Sequence, residues 1–412
     1  MNLLIDFITI HIKGGASEYA RYFIMELAQL KRKGKIPNVN LYALHDSTKS
    51  IAYEDLQEDN FSLICPIKYV DVAKTSINDI VDRCNIDRFF ITCAQFLGYY
   101  AGIEKLSCEV VCVIHDLCDQ ELHYNNINEY VDLIRDHTQV ITNDRRFKTQ
   151  VHNLRITFGL ARRIFKNRLN SESSQVLNRI APIIKLLQIN HNKSKIIVVS
   201  EYTKNSLMYN YDINKESISV FYSPERLYDK VRNDISNDSL REFVESKKKY
   251  YLLVSSSRTL KNPHKVVRAF RRYVKTHPDE YLITIGYPDK LGENIVNVNF
   301  LSDNDLVYAY KHCYALIYPS FFEGFGYPPI EAMHYGKPIL STNATSVPEI
   351  LEDAPIYFSP LYESGIYQAL LTLSDDNYDK YCELSKIQYQ KIRNRQLDDA
   401  TKLLSILTDK LL

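Results

Sequence analysis

Short apolar runs alternate along the whole chain with stretches in which apolar residues recur every three or four positions. Residues 3–9 read as a buried strand, Gly14-Gly15 as a turn, and residues 16–31 as a helix with Tyr19, Phe23, Leu27 and Leu30 on one face. Residues 89–92, 110–114 and 195–200 read as further buried strands. The second half repeats the pattern. Residues 250–255, 281–285, 314–318 and 338–341 have strand character, and residues 263–275 are helical, with Val266, Val267, Ala269 and Phe270 on the apolar face. Helices are also expected over 306–312, from 330 to 335, and over 367–373. Such strand–helix–strand alternation predicts an α/β protein with two parallel, Rossmann-like units.

Length and charge refine this picture. At 412 residues the chain exceeds what one hydrophobic core ordinarily serves. The polar stretch 223–249 reads as a linker between an N-terminal domain (1–222) and a C-terminal domain (250–399). Fifty-one basic against 50 acidic residues leave a net charge of +1, which excludes a broad nucleic-acid footprint. The eight cysteines form no C-x-x-C pair and lack zinc spacing, so they read as reduced thiols of a cytoplasmic protein. The opening nine residues are too short for a signal peptide, and Asp6 interrupts them.

The densest chemistry lies in residues 319–350, PSFFEGFGYPPIEAMHYGKPILSTNATSVPEI. A strand ends at Pro319, a glycine-bearing loop follows, and Pro328-Pro329 suits a helix start whose C-terminal cap is Gly336. Ligands of open α/β sheets sit beyond the carboxyl ends of strands. Free N–H groups of Phe325, Gly326 and Tyr327 at a helix N-terminus suit a phosphate. Glu323 and Glu331 flank them. Two readings of these carboxylates stand side by side: ligand-binding groups, or a solvated loop residue and a first-turn glutamate complementing the helix dipole.

The run E-G-F-G-Y-P-P-I-E resembles the E-x7-E motif of retaining GT-B glycosyltransferases of family four, many of which build bacterial surface polysaccharides, and E-A-M-H-Y-G-K-P-I-L and V-P-E-I fit the same family. The resemblance implies two Rossmann-like domains facing a cleft, with the nucleotide-sugar donor on the C-terminal domain, the acceptor on the N-terminal one, and a final helix, 400–412, that crosses back to the N-terminal domain. It implies that Glu323 contacts the donor sugar, that Glu331 binds the ribose hydroxyls, and that the amides of Phe325, Gly326 and Tyr327 line the loop. By the same resemblance Gly15, in the N-terminal glycine turn, approaches the diphosphate, and His115, in Val113-Ile114-His115-Asp116-Leu117, lies near the sugar. The resemblance also implies that Arg258 and Lys261 grip the diphosphate, whose charge grows as the sugar leaves. Base contacts are expected from backbone near Leu301. Residues 198–204 (VVSEYTK) read as architectural, with Ser200 as a helix cap.

Three segments fit less directly. Asp303-Asn304-Asp305 has the form of a metal-binding D-x-D, but Ser302 and Asp305 make an S-x-x-D capping box, and the resemblance implies that Arg, Lys and a helix end neutralise the phosphate, so no metal and no cofactor is expected. Residues 145–168 hold eight basic side chains interleaved with apolar ones, which reads either as a peripheral contact with an anionic membrane surface or as a solvated basic helix. Residues 221–226 (FYSPER) stand where the family has an N-G-x-D turn. A non-catalytic partner subunit, a phosphorylase and an epimerase are the rival functions.

Overall fold

The computed structural model describes residues 1–98, 100–118, 121, 180–189, 193–226, 235–287 and 292–411. Thirteen strands form two parallel sheets among these residues. The first holds β1 (Asn2–Asp6), β2 (Asn40–His45), β3 (Ile67–Asp71), β4 (Arg88–Ile91), β5 (Glu109–Ile114), β6 (Ser194–Val198) and β7 (Ile218–Val220), in the order β3-β2-β1-β4-β5-β6-β7. The second holds β8 (Lys249–Leu253), β9 (Glu280–Ile285), β10 (Ile295–Val298), β11 (Ala315–Tyr318), β12 (Ile339–Thr342) and β13 (Ile356–Phe358), in the order β10-β9-β8-β11-β12-β13. In both sheets the order reverses beside the first strand, which opens a crevice at the carboxyl edge.

The strands follow from their composition. Val110 to Ile114 are all buried, because helices cover both faces of a parallel sheet and leave no polar side. One apolar cluster runs from Leu3 and Ile5 through Tyr222 and Phe325 to Leu252 and Leu316, so packing is continuous between the two sheets.

Helix ends depart from the periodicity where capping chemistry intervenes. The helix Asp303–His312 starts three residues before the apolar pattern does, because the Ser302 hydroxyl accepts the Asp305 N–H at 3.2 Å. The helix Tyr327–His334 is preceded by Gly326 at its N-cap, whose φ of 98° suits glycine. It ends in a Schellman turn: Gly336 N–H to the Met333 carbonyl (2.8 Å) and Lys337 N–H to the Ala332 carbonyl (3.1 Å), with Gly336 at φ 64°.

The final helix is far longer than the segment 400–412. It runs unbroken from Asp375 to Thr408, 34 residues. Its buried polar side chains tie the sheets together. Gln388 donates to the Ile350 carbonyl (2.8 Å), Gln396 to the Ser223 carbonyl (2.6 Å), and Asp399 accepts the Tyr222 N–H (2.9 Å). Beyond the helix, Asp409 pairs with Arg88 of the first sheet at 2.9 Å. Among the described residues, no helix is long and apolar enough to cross a membrane. The basic segment 145–168 lies outside the described residues.

Candidate active site

Three loops meet at the carboxyl edge of the second sheet, after the neighbouring strands β8, β11 and β12. The first carries Arg258 and Lys261, the second Glu323, and the third Thr345 and Ser346. Lys261 Nζ donates to Glu323 Oε1, with both side chains largely buried. The glutamate's backbone is held from the third loop: its N–H donates to Thr345 Oγ1 (3.1 Å), and its carbonyl accepts from Ser346 Oγ (2.8 Å). Asn262 locks the first loop. Its backbone is left-handed (φ 53°), and its side-chain amide donates to the carbonyls of Pro319 (3.2 Å) and Pro360 (2.9 Å). Arg258 is exposed, and no carboxylate pairs with it among the described residues. Lys261 is thus a charge already committed to Glu323, whereas Arg258 is open to an incoming anion.

Glu331 sits at the other end of the same loop and helix. It is the fifth residue of the helix, a full turn past its start, so complementing the dipole is not its main role. The Tyr310 hydroxyl donates to its Oε2 at 2.7 Å, and Arg226 Nη1 stands 3.8 Å from its Oε1. One carboxylate oxygen is therefore anchored, and the other lacks a partner at hydrogen-bond distance in that ion pair. Between the two glutamates, the Phe325 and Gly326 N–H groups donate to no described residue. The Tyr327 N–H belongs to the first helical turn, where backbone donors have no intrahelical acceptor. Leu301 is buried just before Ser302.

The first sheet supplies the opposite wall. Gly15 opens the helix Gly15–Arg32, and a Cβ there would stand 3.5 Å from the Tyr327 ring. His115 follows β5. Its Nε2 lies 2.9 Å from the Thr92 carbonyl, and its ring meets Tyr19 edge-on at 4.9 Å. A carbonyl only accepts, so Nε2 carries the proton and Nδ1 is an acceptor. Burial pushes the His115 pKa down to about 4, against which the Thr92 contact acts weakly, so the ring is neutral near pH 7. Thr92 is fixed in turn by Asp6, which accepts its hydroxyl at 2.8 Å and its N–H at 3.2 Å. Asp6 is buried, and burial raises its pKa. A residue that merely interrupts an apolar run in the sequence thus orients His115 through Thr92.

The walls touch at Gly324, where a Cβ would come within 2.0 Å of the His115 carbonyl oxygen. Ser200 caps the helix Glu201–Asn210 by accepting the Thr203 N–H (3.1 Å) and also donates to the Gly324 carbonyl (2.8 Å). Glu349, from V-P-E-I, accepts the N–H groups of Glu201 (2.8 Å) and Tyr202 (2.9 Å), so the free end of that helix is satisfied across the domain boundary. The segment read as architectural therefore also holds the glutamate loop.

The D-x-D segment divides. Asp303 pairs with Arg226 at 2.8 Å, whereas Asp305 accepts from the N–H groups of Ser236 (2.8 Å) and Asn237 (3.2 Å) and the Ser302 hydroxyl (2.7 Å). Arg226 and Glu225, from the divergent FYSPER segment, and Tyr310 and Asn262 are the site residues that sequence reasoning missed. For Arg226 the departure from the family pattern was itself the available signal.

Residues 235–356 match the family model for glycosyl transferases group 1. The O-antigen chain mannosyltransferase RfbU of Salmonella typhimurium is 30% identical over 202 residues, which cover 45% of this chain and 52% of that protein. The chain thus spans about half the length of this curated relative. Anabaena HepE in complex with UDP and glucose has a similar structure, with TM-score 0.58, 15% identity and 99% of each chain covered. WaaG, a glycosyltransferase involved in lipopolysaccharide biosynthesis, superposes with TM-score 0.56 at 13% identity over 100% of each chain. The fold is GT-B.

Proposed function

We propose that this chain is a retaining glycosyltransferase that moves a hexosyl group from a nucleotide-diphosphate sugar to a glycan or lipid-linked acceptor in surface-polysaccharide synthesis. The names of its sequence relatives favour mannose as the sugar. The observation that carries the reading is the joint anchoring of Glu323 by Lys261 and of Glu331 by Tyr310, on one loop and helix facing His115's strand end.

In this reading Glu331 Oε1 accepts from a ribose hydroxyl, and the N–H groups of Phe325, Gly326 and Tyr327 face the diphosphate with Arg258. Lys261 lies between Glu323 and that diphosphate, so it aims the carboxylate and meets the leaving charge. Gly15 admits close approach from the first domain, and backbone near Leu301 meets the base. These cations and dipoles are proposed to suffice without a metal or cofactor. The acceptor oxygen bonds to the sugar's anomeric carbon on the face that the phosphate leaves. The carbon–oxygen bond to phosphate breaks, and the acceptor's proton passes to the departing phosphate oxygen. Neutral His115 offers Nδ1 as a hydrogen-bond acceptor to a sugar hydroxyl. Donor supply places the reaction in the cytoplasm, with peripheral membrane contact where the acceptor is lipid-linked.

The test is thermal unfolding with UDP, GDP, dTDP or CDP, for wild type beside Glu331→Ala. A nucleotide at about 100 times its dissociation constant stabilises by about 2.7 kcal/mol. One nucleotide is expected to raise the wild-type midpoint by a few degrees and to leave the variant's unchanged. No shift with any of the four would remove the transferase reading and bring the partner-subunit reading forward.

A further inference from the structure

We propose that Arg226 is a positioning residue that holds the two domains closed over the donor site, sharing one guanidinium among Glu18 of the first domain and Asp303 and Glu331 of the second. The proposal rests on the transferase reading only for what the site binds.

The geometry is specific. Arg226 Nε lies 3.4 Å from Glu18 Oε1, Nη2 lies 2.8 Å from Asp303 Oδ1, and Nη1 lies 3.8 Å from Glu331 Oε1. Nη2 donates a hydrogen bond to Asp303, while Glu18 and Glu331 stand at ion-pair distance, so one guanidinium lies among three carboxylates from separate segments, a task that a point-charge ammonium performs poorly. Glu18 is 6% exposed, and the Tyr53 hydroxyl donates to it at 3.0 Å. It stands in the first turn of the helix that begins at Gly15, beside the expected diphosphate.

The segment bearing Arg226 cannot swing away freely. Tyr222 N–H is held by Asp399, and the Ser223 carbonyl by Gln396. Glu225 accepts the Tyr389 hydroxyl (2.8 Å), pairs with Arg393 (3.0 Å) and lies 3.6 Å from His334. His334 ends the helix that carries Glu331. The connection between the domains is therefore pinned to one end of that helix through Glu225, and near its middle through Arg226. Without the guanidinium, carboxylates of the two domains would face one another in a poorly hydrated cleft. Like charges so placed repel, and opening the cleft relieves them. With it, closure and the aim of Glu331 are coupled.

Small-angle X-ray scattering of the ligand-free full chain tests this, using wild type, Arg226→Gln and the double variant Glu18→Gln/Arg226→Gln. The comparison is made at about 0.05 M and about 0.5 M salt, where screening shortens from beyond 10 Å to several ångströms. Arg226→Gln is expected to have a larger radius of gyration than wild type at low salt and to contract at high salt. The double variant is expected to be compact at both. An Arg226→Gln protein as compact as wild type at low salt, or a double variant as expanded as the single, would overturn the proposal. Should Arg226→Gln fail to fold, Arg226→Lys keeps the charge and loses the fork. One ammonium paired with Asp303 leaves Glu18 and Glu331 facing one another, so a smaller expansion is expected at low salt, and compactness equal to that of wild type would count against the clasp. No nucleotide enters this measurement, so its outcome is separate from that of the nucleotide panel.

Discussion

The two glutamates of the E-x7-E segment are held by different means. Glu323 is fixed from within the second domain, by one lysine from the loop after β8 and by backbone contacts to the loop after β12. Glu331 lies where the domains meet, with Tyr310 on one oxygen and Arg226 near the other, the arginine reaching across to Glu18. The contacts of Glu323 itself all lie within the second domain, although its loop is also held from the first by the Ser200 hydroxyl on the Gly324 carbonyl. The arrangement around Glu331 is complete only when the domains are together. In the proposed function, such a site would hold its donor on one domain and register closure at one end of it.

Several variants would sharpen or break that contrast, and the largest effect is expected at the self-contained end. Glu323→Gln keeps the shape and removes the charge. It is expected to lower the transfer rate by about 10²–10³-fold, the scale for losing one preorganised electrostatic contact. Single-turnover rates with the donor nucleotide found in the panel check this, and an undiminished rate would place the chemistry elsewhere.

At the meeting of the walls, His115 makes a pH signature. The unfolded chain takes up a proton near pH 6.5, and the folded chain resists it until about 4. The stability contributed by neutral His115 is complete above about pH 6.5 and is lost as pH falls toward 4. Denaturant unfolding should therefore weaken through that window, and more steeply for wild type than for His115→Gln. Equal slopes would show that the ring titrates normally.

Gly324→Ala drives a methyl into the His115 carbonyl and is expected to destabilise by about 1–3 kcal/mol through overpacking. Unchanged thermal unfolding would mean that the loop readily moves off the first domain. Lys261→Ala strands a largely buried Glu323 and is expected to cost about 2 kcal/mol, whereas Arg258→Ala leaves the midpoint unchanged and weakens only nucleotide binding. The smallest effect belongs to Ser200→Ala, about 1 kcal/mol for a lost cap plus the contact to Gly324. A loss confined to the isolated cap value would show that the cross-domain bond contributes little.

The sequence by itself determined the parts whose physics is local. Apolar runs such as Val110–Ile114 specify buried parallel strands whatever surrounds them, and Gly326, Pro328 and Gly336 specify a helix start and stop within ten residues. The E-x7-E spacing placed both glutamates at one strand end, because a loop and little more than one helical turn separate them. Tertiary structure decided what each polar group faces. The pairing of Lys261 with Glu323 spans 62 positions, and the Arg88–Asp409 contact spans 321. Nothing in the helical period of 375–408 indicates that Asp399 accepts a backbone N–H from residue 222. Arg226 is the clearest case: three carboxylates far apart in the chain converge on it only after both sheets have formed and docked. A charge states its sign in the sequence, but its partner is set by distance in space, and for this site that distance is set by how the two domains pack.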